Sequence, residues 1–114
     1  KQLRLCICNL KGMVLGLIDL FDFDPKNLRV GMGIVVNQKI NRNKGVGTEA
    51  VEILTSYAFS VLGMRQVYAN VLEENAPSIH LFSKLGFEKV GIKKDWIYSN
   101  GAFKNEILFQ KMNS

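Results

Sequence analysis

At 114 residues, 47% of them hydrophobic and 22% charged, the chain has the size and composition of one globular domain, which excludes a disordered or low-complexity protein. No uninterrupted apolar stretch approaches the ~20 residues of a membrane span, and the opening Lys-Gln-Leu-Arg-Leu-Cys lacks the apolar core and cleavage site of a signal peptide. The net charge of +5 comes from fifteen basic residues against ten acidic ones; they are scattered rather than interleaved with aromatics, which argues against nucleic acid and suits a polyanionic ligand or plain solubility.

Leu3 to Asn9 is the first predicted strand, and Lys11-Gly12 the turn after it. Cys6 and Cys8, two apart, fall on one strand face. Without a second pair they make no zinc site, and the expectation is two core-filling thiols in a reducing, cytoplasmic setting. Met13 to Phe23 is a long β segment broken by Gly16, and Asp24-Pro25-Lys26-Asn27 carries turn chemistry. Arg29 to Asn37 completes an antiparallel meander. From Gly47 to Leu62 the period becomes helical, with Ala50, Val51, Leu54, Ala58, Val61 and Leu62 recurring on one face and Gly63 as the stop. Gln66 to Leu72 is a strand reached by a helical crossover, hence parallel to Arg29–Asn37.

A second helix is predicted over Ala76 to Lys84, with Asn75 as N-cap, Pro77 in the first turn and Gly86 at the stop. Phe87 to Tyr98 and Ala102 to Lys111 flank Ser99-Asn100-Gly101, and Asn-Gly between β segments is a strong hairpin signal. The order β-β-β-α-β-α-β-β defines an α/β (α+β) fold with a mixed, mostly antiparallel sheet, one domain over residues 1–114.

The run Asn41-Arg42-Asn43-Lys44-Gly45-Val46-Gly47-Thr48 joins a strand to a helix start. Such a turn aims backbone N–H groups at one spot beside the positive end of a helix dipole, and Arg42 and Lys44 add charge, so it can cradle a pyrophosphate. Glycines there also serve ordinary helix entry and close packing. The Walker pattern is absent, and Ala50 replaces the third glycine of the dinucleotide fingerprint.

Arg42-Asn43-Lys44-Gly45-Val46-Gly47 fits Arg/Gln-x-x-Gly-x-Gly/Ala. Downstream, Asn75-Ala76-Pro77-Ser78-Ile79-His80-Leu81-Phe82-Ser83-Lys84-Leu85-Gly86-Phe87 follows Asn-x-x-Ser/Ala-x-x-Leu-Tyr-x-Lys-x-Gly-Phe. In that order the two motifs resemble the signatures of the GCN5-related N-acetyltransferases, most of all the branch with spermidine and ribosomal-protein acetyltransferases. The resemblance runs from about Leu3 to the C-terminus. It implies acetyl-CoA as co-substrate, no metal, and transfer of the acetyl group to a primary amine: a polyamine, another small amine or a protein N-terminus. It implies a sheet splayed between Arg29–Asn37 and Gln66–Leu72, with the thioester arm in the gap.

The coenzyme would be held by backbone near Val35 and Val36, by Arg42, Asn43, Lys44, Gly45, Val46, Gly47 and Thr48, and by Asn75, Ser78, Phe82 and Lys84; for Ser78 and Lys84 a solvated helix face competes. Asp19 and Asp22 align with acidic residues of the spermidine branch, and Asp19 is the implied proton acceptor, against the alternative of a solvent-facing charge at a strand edge. Two departures stand out: Phe82 replaces the Tyr that protonates the leaving thiolate, and Gly31 replaces a further acid. The strand and two helices that the family sets before its equivalent of Leu3–Asn9 have no counterpart, and the chain begins with Lys rather than Met, the mark of a fragment or a processed chain. His80, Tyr57 and Trp96 are expected outside the chemistry: His80 exposed or half-buried, the two aromatics in core or interface. The competing readings are a coenzyme A-binding module with weak or no catalysis, acting through oligomerisation or regulation, and a basic RNA-associated domain.

Overall fold

The computed structural model describes residues 2–36 and 45–113. Their elements are β1 (Gln2–Cys8), β2 (Val14–Asp24), β3 (Arg29–Val36), α1 (Val46–Ser60), β4 (Gln66–Leu72), α2 (Ala76–Lys84), β5 (Glu88–Ser99) and β6 (Ala102–Met112). One sheet holds all six strands in the order β1-β2-β3-β4-β6-β5. All neighbours are antiparallel except β3 and β4. That single parallel pair follows from the crossover through α1, because the helix carries the chain back to the end of the sheet at which β3 began.

The strand pattern explains which face is covered. On β3, Val30 and Met32 are fully buried and pack in one cluster with Val67, Ala69 and Val71 of β4, Ile107 and Phe109 of β6, and Val51, Leu54, Ala58 and Phe82 of the two helices. Each of these side chains larger than alanine contributes about 1.5–3 kcal/mol relative to exposure, so both helices are held to this one face. The alternate residues Gly31, Gly33 and Val35 look the other way, where no described helix lies and Val35 is 69% exposed.

The turns follow their sequence chemistry. At the β5–β6 hairpin Asn100 and Gly101 both take positive φ, 52° and 77°, as a two-residue primed turn requires. Between β2 and β3, Asp24 accepts from the backbone N–H groups of Lys26 and Asn27 at 3.2 and 2.9 Å and from the Asn27 amide at 2.9 Å, with Arg29 at 3.3 Å. The Asn27 side chain, then its backbone N–H and the Arg29 charge, hold the Asp24 carboxyl below its ordinary 3.8. A carboxylate favoured in the fold adds stability above its unfolded pKa and loses it as pH falls through the folded value. The turn is therefore expected to loosen only below pH 3.8; a carboxyl NMR titration of Asp24 should give a midpoint under that value, and one at or above it would refute the assignment.

Cys6 and Cys8 correct the sequence expectation, since both are exposed. Strand β1 is a sheet edge, and its core-side contacts come from Leu3 and Ile7. Alternation sends Arg4 and Cys6 to the uncovered face, and Cys8 is exposed at the last position of the strand. Tyr57 and Trp96 are not core residues either, at 38% and 60% exposure; Lys93 sits 4.9 Å from the centroid of the Trp96 ring. His80 is exposed, as expected. No described helix is long and apolar enough to cross a membrane.

Candidate active site

Strands β3 and β4 pair over only four residues each, from Arg29 opposite Gln66 to Met32 opposite Ala69. Beyond that register β3 runs on to Val36 and β4 to Leu72, so the two strands part. A slot of about 170 Å³ lies in the opening, lined by Met32, Gly33, Ile34, Asn70, Val71, Leu72, Asn75, Ser78, Phe82 and Glu106. Its lining comes from both faces: Met32, Val71 and Phe82 from the core side, Gly33, Asn70 and Glu106 from the uncovered side. The slot thus connects the helix side of the sheet to the open side.

Next to it, a hollow of about 190 Å³ is formed by the start of α1 (Gly45 to Thr48), by Val36, and by Pro77, His80, Leu81 and Lys84 of α2. Gly45 is the N-cap of α1 in the left-handed conformation, φ 68°, and supplies no capping side chain. Helix geometry leaves the first N–H groups of α1 without intrahelical partners, and the dipole adds positive potential there. An added Cβ at Gly47 would meet Leu81 at 2.8 Å and Val36 at 3.3 Å, so this glycine lets α1, α2 and the splayed end of β3 close on one another. Donors that no side chain among the described residues caps, beside a lysine and a hollow, fit a phosphate group.

The sequence-assigned coenzyme residues therefore divide between two adjoining spaces. Val36, Gly45, Val46, Gly47, Thr48 and Lys84 line the hollow; Asn75, Ser78 and Phe82 line the slot. Arg42, Asn43 and Lys44 lie outside the described residues. Val35 is on the splayed part of β3 but points to the open face. Asn75 caps α2, its side chain accepting from the Ser78 N–H at 3.2 Å. Phe82 is 1% exposed, edge-on to Phe87 with centroids 5.0 Å apart and stacked with Phe109 at 6.2 Å.

Asp19 stands on β2 opposite Gly33 on one side and Arg4 on the other. Both its oxygens accept from Arg4, at 2.9 and 3.1 Å; that hydrogen bonding, and then the carboxylate charge, raises the Arg4 pKa. Sequence reasoning missed a second polar group. Lys93 bridges Glu106, at 2.9 Å, and Asn70, at 3.0 Å, at the open-face end of the slot. Counting back from the Asn100-Gly101 turn sets Asp95, not Lys93, opposite Glu106; the irregularity between Lys93 and Ile97 shifts the register, and nothing local in the sequence announces it. A larger hollow of about 400 Å³ at the far end of α1, lined by Thr55, Phe59, Phe87 and Lys111 among others, contains none of these residues. No group of His, Cys, Asp or Glu among the described residues is arranged to hold a metal ion.

A parallel pair that parts beside an uncapped helix start, with a second capped helix along the gap, is the layout of an acyl-coenzyme A acyltransferase domain. The chain belongs to the acetyltransferase (GNAT) domain family, whose model matches residues 1–88. It is 30% identical over 96 residues to the spermidine N(1)-acetyltransferase of Escherichia coli K12, covering 84% of this chain and 51% of that protein. It is 37% identical over 81 residues to the human alpha/beta-tubulin-N-acetyltransferase 9, covering 70% of this chain and 39% of that one. In fold it resembles the Vibrio cholerae spermidine N-acetyltransferase solved with CoA and spermine, with a TM-score of 0.89 at 19% identity over 97% of this chain and 65% of that one. The chain thus spans about half the length of the E. coli relative and less of the human one.

Proposed function

We propose that the chain is the coenzyme-binding and catalytic part of an N-acetyltransferase that moves an acetyl group from acetyl-CoA to a primary amine. The observation that carries this reading is the uncapped N-terminus of α1 opening on a hollow that adjoins the β3–β4 slot. The N–H groups from Gly45 to Thr48, with Lys84, hold the pyrophosphate, and Arg42, Asn43 and Lys44 belong to the same cradle. Asn75 and Ser78 face the pantetheine arm. The coenzyme supplies the activated acetyl group, which backbone N–H groups near Val35 and Val36 orient and polarise.

The acceptor reaches the slot from the uncovered face. Asp19 takes the ammonium proton, and the neutral amine then attacks the thioester carbon while the C–S bond breaks. Holding both partners in one place supplies about 7–11 kcal/mol of barrier lowering. Calorimetric titration with coenzyme A, followed by thiol release with a panel of amines, tests the proposal. Coenzyme binding together with amine-dependent thiol release supports it, and absence of both removes it.

Asp19→Asn is expected to lower turnover mainly below the acceptor's pKa, where the amine arrives protonated, and to leave coenzyme affinity nearly unchanged. The pair it loses with Arg4 is a solvent-exposed one that adds little to stability, so folding should survive. An Asn variant with the wild-type pH–rate profile would take Asp19 out of the mechanism.

Phe82 favours a second reading. The side chain at the slot carries no proton, and Arg4 engages both oxygens of Asp19. A module that binds coenzyme A with little transfer, acting through self-association or regulation, has these features. It predicts tight coenzyme binding with no amine-dependent thiol release.

A further inference from the structure

The uncovered face of the sheet carries an aromatic corner beside the slot. Phe21, two residues from Asp19 on the same strand, lies across β3 from above. A Cβ added at Gly31 would stand 2.4, 2.7 and 2.9 Å from three atoms of the Phe21 ring, and one at Gly33 would stand 3.7 Å from its other edge. No side chain fits at position 31 while the ring stays there; for this reason Gly31, Phe21's cross-strand partner, is buried although no described helix covers it. Tyr68, paired with Gly31 from β4, closes the corner edge-on to Phe21, with centroids 6.2 Å apart and planes at 89°.

Charges around the corner are mostly spoken for. Asp19 is paired with Arg4, Asp24 with Arg29 and Glu106 with Lys93. Among the described residues of β2, β3 and β4, the strands that form the corner, that leaves Asp22, exposed at the β2 bulge with φ 51°. A polyamine brings further ammonium groups that must each find an anion; the strands of the corner offer one carboxylate outside an ion pair, and the next along this row, Glu88, stands two strands from Tyr68, beyond Gln110. An apolar body gains from two ring faces.

Resting on the acetyltransferase reading, we infer that Phe21 and Tyr68 form the acceptor's binding floor and select an amine with a single charge and an apolar or aromatic body over a polyamine. Phe21 is the specificity-determining residue, and Gly31 is the glycine that admits it. The amine end points to Asp19 and the slot, the body lies over the rings, and an acid at position 31 is excluded by the ring that occupies its space.

The test compares 2-phenylethylamine with spermidine on the whole chain. Wild type should favour 2-phenylethylamine by about tenfold in kcat/KM, the scale of one good aromatic contact. Phe21→Ala should remove that preference through KM with kcat little changed. Phe21→Ala combined with Gly31→Glu, which fills the vacated space with a carboxylate, should turn the preference toward spermidine. A wild type that prefers spermidine, or a ratio untouched by Phe21→Ala in a folded protein, overturns the inference while leaving the acetyltransferase reading in place. NMR shifts of the Phe21 and Tyr68 ring protons on adding 2-phenylethylamine report binding without turnover. Unmoved signals overturn the inference; shifted signals in a chain that releases no thiol sustain the floor and sink the acetyltransferase reading instead.

Discussion

Gly47→Val should weaken coenzyme A binding by more than tenfold, a loss above about 1.4 kcal/mol. Gly47 is the second residue of α1 and lies where that helix, α2 and the end of β3 meet. The Cβ alone meets the tip of the Leu81 side chain, which can turn aside, so Gly47→Ala is expected to be mild. Two further methyl groups have only the hollow of about 190 Å³ to enter, which is the space the phosphates need. Gly45→Val acts by another route. Nothing stands within 4 Å of its added Cβ, but its φ of 68° is left-handed, a conformation costing an L-residue roughly 1–2 kcal/mol and more for a β-branched one. It should therefore tilt the first N–H groups of α1 rather than block them. Calorimetry with coenzyme A, next to thermal unfolding of each variant, separates these effects. Two folded variants with wild-type affinity would show that the phosphates bind elsewhere.

The fold was legible because its signals are local. The Asn-Gly turn, the Asp24 turn, the Asn75 cap and the change of period at Gly47 each mark a boundary without reference to distant residues, and the crossover through α1 dictates the one parallel pair. The described residues proposed for the phosphate and the pantetheine arm come together around the hollow and the slot for a similar reason: a short motif puts backbone donors or a cap at a helix start wherever that helix packs. What escaped depends on register across strands. The Arg4–Asp19 pair follows from a β1–β2 alignment that no turn rule fixes, since Asn9 to Met13 forms a longer loop and a shift follows Ile7. Lys93 meets Glu106 only through the irregularity in β5. Gly31 read as a missing acid, whereas its neighbour across the strand, Phe21, holds the space. The thiols were misjudged because strand alternation tells which residues share a face and not whether anything covers it.

Phe82→Tyr is expected to raise turnover by about tenfold or more, with coenzyme affinity little changed. The ring lies in the slot lining while it packs on Phe87 and Phe109, so the one added oxygen has two places to go. Directed into the slot, it stands where a leaving thiolate needs a proton, and a positioned acid is typically worth ~10²–10⁴-fold. Directed into the core, it is a buried hydroxyl with no partner and costs about 1–3 kcal/mol. Phe82 is flanked by rings on the core side and open to the slot, which favours the first placement. Stability should then fall by no more than about 1 kcal/mol. Thermal unfolding and single-turnover thiol release, measured on the same sample, distinguish the outcomes. A gain in turnover with the fold kept assigns the step to this side chain. A stability loss with flat turnover places the hydroxyl in the core. Flat turnover with stability unchanged means that proton transfer to sulfur does not limit the rate, and position 82 is then a wall of the coenzyme slot rather than the site of its acid.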